Sequence, residues 1–168
     1  MEVPRGLMEY ISPMETPQGL LFSARRPSAG LPGELTGKRY LALEGVQDPG
    51  NVGTILRTAD AFEADGLFLL TGCADLYSPK TLRASMGAAF RRPVWSCTLE
   101  ELLPLLKGAG LPLVGTALRE DTVDVRQADL SRAALAACDQ TVRIPMSERC
   151  ESLNAAVAAA VALWEGWR

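Results

Sequence analysis

From Lys38 onward, short apolar runs alternate with longer amphipathic stretches, and few folds accommodate that alternation. Tyr40–Leu43 reads as a buried strand. Val52–Ala64 reads as a helix, with Ile55, Leu56, Ala59 and Phe62 on one stripe at helical spacing. Leu67–Leu70 is a second strand, and Pro79–Met86 is a short helix opened by Ser78 and Pro79. Val94–Ser96 is a short strand, followed by a helix over Thr98–Leu106 whose Thr-Leu-Glu-Glu opening suits a capping arrangement. Leu111–Gly115 and Thr141–Ile144 are further strands, and a helix is expected from Ser152 to Trp164, with Leu153, Val157, Ala160, Val161 and Trp164 as its apolar stripe. The alanines of this last helix let another backbone approach closely, which suits a buried helix or a subunit interface. The pattern predicts an α/β fold, a mostly parallel sheet with helices on both faces.

Residues 1–37 read differently. ISPMETPQGLLFSARRPSAGLPGEL is rich in Pro, Gly and Ser and contains one short strand candidate, Leu20–Ala24. It reads as a linker, or as the tail of a domain that is not present. At 168 residues and 48% hydrophobic the chain can bury one core. A net charge of -3 confines any nucleic-acid contact to a local patch. The arginine pairs Arg25–Arg26 and Arg91–Arg92 read as solvated surface pairs.

The chain has no histidine, which excludes Ser-His-Asp and Cys-His catalysis and any His-ligated metal. The four cysteines, Cys73, Cys97, Cys138 and Cys150, form no CxxC pair and suit free thiols in a reducing cytosol. No signal peptide or membrane-spanning run is legible, so a soluble, cytoplasmic protein without metal is expected.

Three stretches can carry chemistry. In LEGVQDPGNVGTILR (43–57), Asn51 stands where a helix N-cap belongs, a role worth about 1 kcal/mol. Gly53 and Arg57, at i and i+4, share a face away from the apolar stripe. A helical glycine costs roughly 0.5–1 kcal/mol relative to alanine, and here it reads as open space beside a guanidinium. That would be a seat for a phosphate or ribose at a helix mouth. Capping alone and the phosphate seat both remain open for Asn51. The stretch beginning at Arg143, RIPMSERCESLNAAVAAAV, runs strand, Pro turn, then Ser152-Leu153-Asn154 at a helix start. It again sets small polar groups at a strand's carboxyl end, where open α/β sheets bind ligands. VGTALRE (114–120) ends a strand with a small-residue loop.

Taken in order, NVGTILR, GTALR and IPM…ESLNAAVAAA…WE closely resemble the SpoU-type RNA 2′-O-ribose methyltransferases of the SPOUT class. LRASMGAAFRRPVW (82–95) and ETPQGLLF (15–22) add to the resemblance, which covers the chain from about residue 12 to its end. It implies a carboxyl-terminal trefoil knot, a homodimer whose partner completes each site, and S-adenosylmethionine as cofactor. Position by position, it implies that Asn51 and Arg57 act on the substrate, with Ser152 and Asn154 as the polar pair of the last motif. Ile144, Met146 and Leu153 would line the cofactor, and the Thr116–Ala117 loop would form its other wall. The implied substrate is RNA, with ribosomal RNA favoured and transfer RNA as the alternative.

The chain departs from the family pattern twice. Only the exit segment of an amino-terminal RNA-binding domain remains, so residues 1–37 are expected to be that tail and 38–168 the methyltransferase domain. Between GTALRE and IPM the family's G-x-E-x-x-G motif is absent, and the text closes up near Arg132–Ala133. A segment left out at that join is the expected explanation. The competing functions are a cofactor-free knotted dimer that binds RNA or a protein partner, and a generic nucleotide-binding α/β domain.

Overall fold

In this computed structural model of the protein the described residues are 2–12, 14, 16–17, 19–27, 30–116, 130–147, 149 and 152–167. Two parallel sheets dominate them. Strands β1 (Tyr40–Leu43), β2 (Gly66–Leu69) and β3 (Val94–Ser96) form one sheet in the order β1-β2-β3, and β4 (Val114–Thr116) pairs with β5 (Gln140–Val142). Helix α2 (Pro49–Ala61) connects β1 to β2; α3 (Pro79–Ala84) and a 3-10 turn at Ala88–Phe90 connect β2 to β3. Helix α4 (Leu99–Ala109) leads into β4, α5 (Arg132–Ala137) precedes β5, and α6 (Ala155–Trp167) ends the chain; α1 is Arg5–Ile11. All strand pairs are parallel, as expected, but they fall into two sheets rather than one among the described residues. The expected knot depends on the path of residues 117–129, outside the described set.

Side-chain alternation along the strands builds two cores. Leu41, Leu43, Leu67, Leu69 and Val94 face one way, onto α2 and the alanines of α6. Tyr40, Ala42, Phe68, Leu70 and Trp95 face the other way, onto Leu102 and Leu106 of α4. The register sets Phe68 beside Trp95, and their rings stack at 5.0 Å. β2 is therefore buried on both faces along its length. Thr98 accepts from the Glu101 amide while the Glu101 side chain accepts from the Thr98 amide, the expected capping box at the start of α4.

Several expectations are corrected. Helix α2 begins at Pro49, not Val52, because Asp48 takes the N-cap and Pro49 the first helical position. Helix α6 begins at Ala155 rather than Ser152. The segment 20–24 forms no strand, whereas α1 and α5, at Arg5–Ile11 and Arg132–Ala137, were not anticipated. Val157, Val161 and Trp164, expected as the apolar stripe of the last helix, are 49%, 37% and 48% exposed. The face of α6 that meets the α2 core is Ala155, Ala156, Ala159 and Leu163, the alanines allowing the close approach, while Trp164 and Trp167 lie beside the Phe62 ring at 6.0 and 6.3 Å. Arg91 and Arg92 are not simply solvated: both pair with Asp60 near the end of α2, and Arg92 Nη1 also donates to the Ala64 carbonyl at 3.2 Å. Arg26 pairs with Asp75 at 3.0 Å and lies over the Tyr77 ring.

Gly53 does not border open space. It is buried under α3, and a Cβ there would stand 2.4 Å from the Thr81 carbonyl oxygen, 2.6 Å from Ala84 Cβ and 3.0 Å from the Ser85 amide. The glycine allows helix-to-helix contact, and only Arg57, four residues on, emerges to solvent.

Two predictions follow from this packing. Gly53→Ala gains about 1 kcal/mol of helix propensity, but the clash with unyielding backbone costs about 1–3 kcal/mol. A net loss in the urea midpoint is expected, and a stabilised variant would refute the close packing. The second concerns Asp60, whose carboxyl Arg92, then Arg91, hold below its ordinary 3.8. A folded pKa below the unfolded one gives stability that is complete above the unfolded value and is lost as pH falls through the folded one. Asp60→Asn should therefore cost about 1–2 kcal/mol at neutral pH, with the gap to wild type narrowing below pH 3.8. A gap independent of pH would exclude the ion pair as its source.

Candidate active site

Parallel strands deliver their carboxyl ends to one rim, and there the loops after β1 and β2 are stitched together. The Leu70 amide donates to the Leu43 carbonyl at 2.8 Å, the Gly45 amide to Thr71 at 3.1 Å and the Ala74 amide to Val46 at 2.9 Å. Gly45 and Gly72 both have positive φ where these loops touch: a Cβ on Gly72 would lie 3.2 Å from Gly45 Cα. Helix α2 rises from this rim. Asp48 Oδ2 accepts from the Asn51 amide at 3.3 Å, so Asn51 is not the N-cap but lies in the first turn.

Its side chain is thereby released for a longer-range contact. Asn51 Oδ1 accepts from Asn154 Nδ2 at 3.1 Å, across 103 positions of sequence. Asn154 Oδ1 accepts in turn from the Ala156 amide at 2.9 Å, and its carbonyl accepts from Ala158 at 2.9 Å. Asn154 therefore caps α6, and Ser152, from which the helix was expected to start, stands exposed just before it. The amino termini of α2 and α6 meet through two carboxamides, and both helix dipoles point their positive ends at this spot.

The other expected residues are placed as follows. Arg57 is exposed on α2, and among the described residues it has no ion-pair partner. Thr116 ends β4 opposite Val142 of β5. Ile144 and Met146 follow β5, and Leu153 precedes α6; all three are half-buried. Ala117 lies outside the described residues. Thus the structure joins Asn51 directly to Asn154, and no bond joins Arg57 to either.

Three polar groups of this rim escaped sequence reading. Asp48 is legible in hindsight, since Asp-Pro is an N-cap followed by a first-turn proline. Lys80 Nζ donates to Asp48 Oδ1, and this bond holds the Asp48 carboxyl below its ordinary value. Glu44 Oε2 accepts from the Ser131 amide at 2.7 Å, tying the end of β1 to the cap of α5; no local signal announces a pairing 87 positions apart. The Cys73 thiol donates to the Leu43 carbonyl at 3.2 Å, and burial pushes its pKa up, so it is no thiolate nucleophile. Among the described residues no cluster of His, Cys, Asp or Glu could hold a metal, and no helix is long and apolar enough to cross a membrane.

Comparison with known proteins agrees with this architecture. The pattern of the SpoU rRNA Methylase family matches residues 38–135 and 127–164. The chain is 34% identical over 168 residues to the 23S rRNA (guanosine(2553)-2′-O)-methyltransferase RlmP of Bacillus subtilis, covering 92% of this chain and 66% of that protein. It is 36% identical over 140 residues to the 23S rRNA (uridine(2479)-2′-O)-methyltransferase of Streptomyces viridochromogenes, covering 71% of this chain and 49% of the other. The crystal structure of the SpoU methyltransferase AviRb from Streptomyces viridochromogenes, in complex with AdoMet, superimposes with a TM-score of 0.68 at 35% identity, over 77% of this chain and 56% of that one. The chain therefore spans about half to two thirds of the length of these relatives. With most of its length matched by the family pattern, and with identities above a third to named relatives, the chain belongs to the SpoU rRNA Methylase family.

Proposed function

We propose that this chain is the catalytic domain of an enzyme that transfers a methyl group from S-adenosylmethionine to a ribose 2′-hydroxyl of RNA, with ribosomal RNA as substrate. The observation that carries the proposal is the Asn51–Asn154 bond, which unites the first and last family motifs at the mouths of two helices. Relatives named as 23S rRNA 2′-O-methyltransferases support the choice of substrate, and a related structure in complex with AdoMet supports the cofactor. The cytoplasm, where ribosomal RNA is matured, is the matching location.

The residues present fit the cofactor. Ile144, Met146 and Leu153 are aliphatic and half-buried, and no acidic or basic side chain stands among the three. Such a lining suits the adenosine and the aliphatic carbons of the cofactor rather than a phosphate, and Thr116 at the end of β4 would stand on the opposite wall. When bound, the cofactor supplies a methyl group on a sulfonium, and the chain's own residues do the rest. Asn51, Asn154 and Ser152 orient the ribose by hydrogen bonding, and positioning of this kind provides much of the rate. The Arg57 guanidinium, a fork of donors with no acceptor, binds the neighbouring phosphate and stabilises negative charge growing on the 2′-oxygen. It does not abstract the 2′-hydroxyl proton, which would pass to solvent water as the O–methyl bond forms.

Residues 38–168 make up the methyltransferase domain in this reading, and 1–37 lead in from an RNA-binding domain. The family match starting at residue 38 supports that division. Its two parts meet at 127–135, which supports a family segment left out beside Arg132–Ala133. The exposed Val157 and Val161 of α6 support a homodimer through this face, while Trp164 and Trp167 lie beside the Phe62 ring of the same chain. No metal takes part.

Calorimetry with S-adenosylmethionine should show saturable binding, and the protein should transfer labelled methyl groups to unmodified 23S rRNA as alkali-resistant ribose. Asn51→Ala should lower kcat/KM for that transfer by about 10–100-fold. An absence of both binding and transfer would instead favour a cofactor-free RNA-binding dimer. For the interface, sedimentation should find a dimer, and Val161→Asp should turn it into monomer by burying a charge in an apolar contact. A variant as dimeric as wild type would place the interface elsewhere.

A further inference from the structure

Lys80 opens α3 and is not among the residues assigned to substrate or cofactor. Its ammonium donates to Asp48 Oδ1, while Asp48 Oδ2 accepts from the Asn51 amide at 3.3 Å. Asn51 Oδ1 accepts from Asn154 Nδ2 at 3.1 Å, and Asn154 Oδ1 from the Ala156 amide at 2.9 Å. One unbroken run of polar contacts therefore joins the first turns of α3, α2 and α6. Gly50 makes room for it. A Cβ there would stand 3.0 Å from Asp48 Oδ2 and 3.3 Å from Lys80 Cε, so the lysine stem lies against the first turn of α2.

We propose that Lys80 is a positioning residue: through Asp48 it sets the orientation of Asn51, and with it the Asn51–Asn154 pair. The inference rests on the methyltransferase reading for its kinetic consequence, but not for its geometry. A carboxylate's terminal torsion is broad and poorly determined by itself. With one oxygen held by an ammonium, the other is left facing the Asn51 amide. The pair is too exposed to matter much to stability, at 60% and 45% side-chain accessibility for Lys80 and Asp48. What it controls is geometry, and a small misplacement of an orienting group is costly to a transfer that depends on alignment.

The test uses Lys80→Met, which keeps an apolar stem over Gly50 but removes the donor, and Lys80→Arg, which keeps a donor. In 15N-labelled protein the side-chain amide signals of Asn51 and Asn154, assigned from their alanine variants, should shift in Lys80→Met and return toward wild type in Lys80→Arg. The kcat for methyl transfer should fall about tenfold in Lys80→Met, with the KM for RNA and its salt dependence unchanged, and Lys80→Arg should restore it. A raised KM with a shallower salt dependence and unchanged kcat would make Lys80 a phosphate contact and overturn the inference. Unmoved amide signals with wild-type kcat would overturn it too. If the wild-type protein transfers no methyl group at all, the methyltransferase reading falls, and the amide signals alone decide whether Lys80 positions Asn51.

Discussion

The arrangement depends on how closely α2 can approach its neighbours. At Gly53 the helix meets α3 almost backbone to backbone, with the Thr81 carbonyl where a methyl group would otherwise stand. On another side it meets α6 through Ala155, Ala156 and Ala159. Interiors are close-packed and do not stretch, so these two approaches fix the distances among three helix starts. The Asn51–Asn154 and Asp48–Lys80 bonds exist because the helices carrying them are held that near.

The same geometry explains why small residues and polar side chains alternate in the opening motif. Gly50 gives way to the Lys80 stem, Asn51 projects toward α6, and Gly53 gives way to α3. Asp48 takes the capping role and thereby frees Asn51 from it. Each position of the stretch faces a different neighbour, because successive residues turn by about 100° around a helix.

The chain has no histidine, and among the described residues the thiols of Cys73, Cys97 and Cys138 are pushed up by burial. Carboxamides, a guanidinium, helix dipoles and the hydrogen-bonded carboxylates of Asp48 and Glu44 stand at the rim. The carboxamides and helix dipoles orient a bound group and stabilise charge on it. Arg57 of α2 and Val157 and Val161 of α6 are turned away from the core.

Local chemistry alone made much of this legible. The alternation of apolar runs predicted the parallel strands, Ser78 and Thr98 announced their helices, and the motifs marked Asn51 and Asn154 as residues of one family site. Helix boundaries slipped where the cap was misread: Asp48-Pro49, three residues earlier, outcompeted Asn51. What only the tertiary structure decided is which side chains meet. Gly53 looked like open space because a sequence does not show that α3 returns over α2. Val157 and Val161 read as part of the apolar stripe of α6 because hydrophobicity ranks valine above alanine, whereas the packing distance to α2 selected the alanines. Glu44 with Ser131, and Lys80 with Asp48, are pairings 87 and 32 positions apart. Sequence periodicity reports the neighbours along one helix or strand, and contacts at such separations arise only when the elements pack.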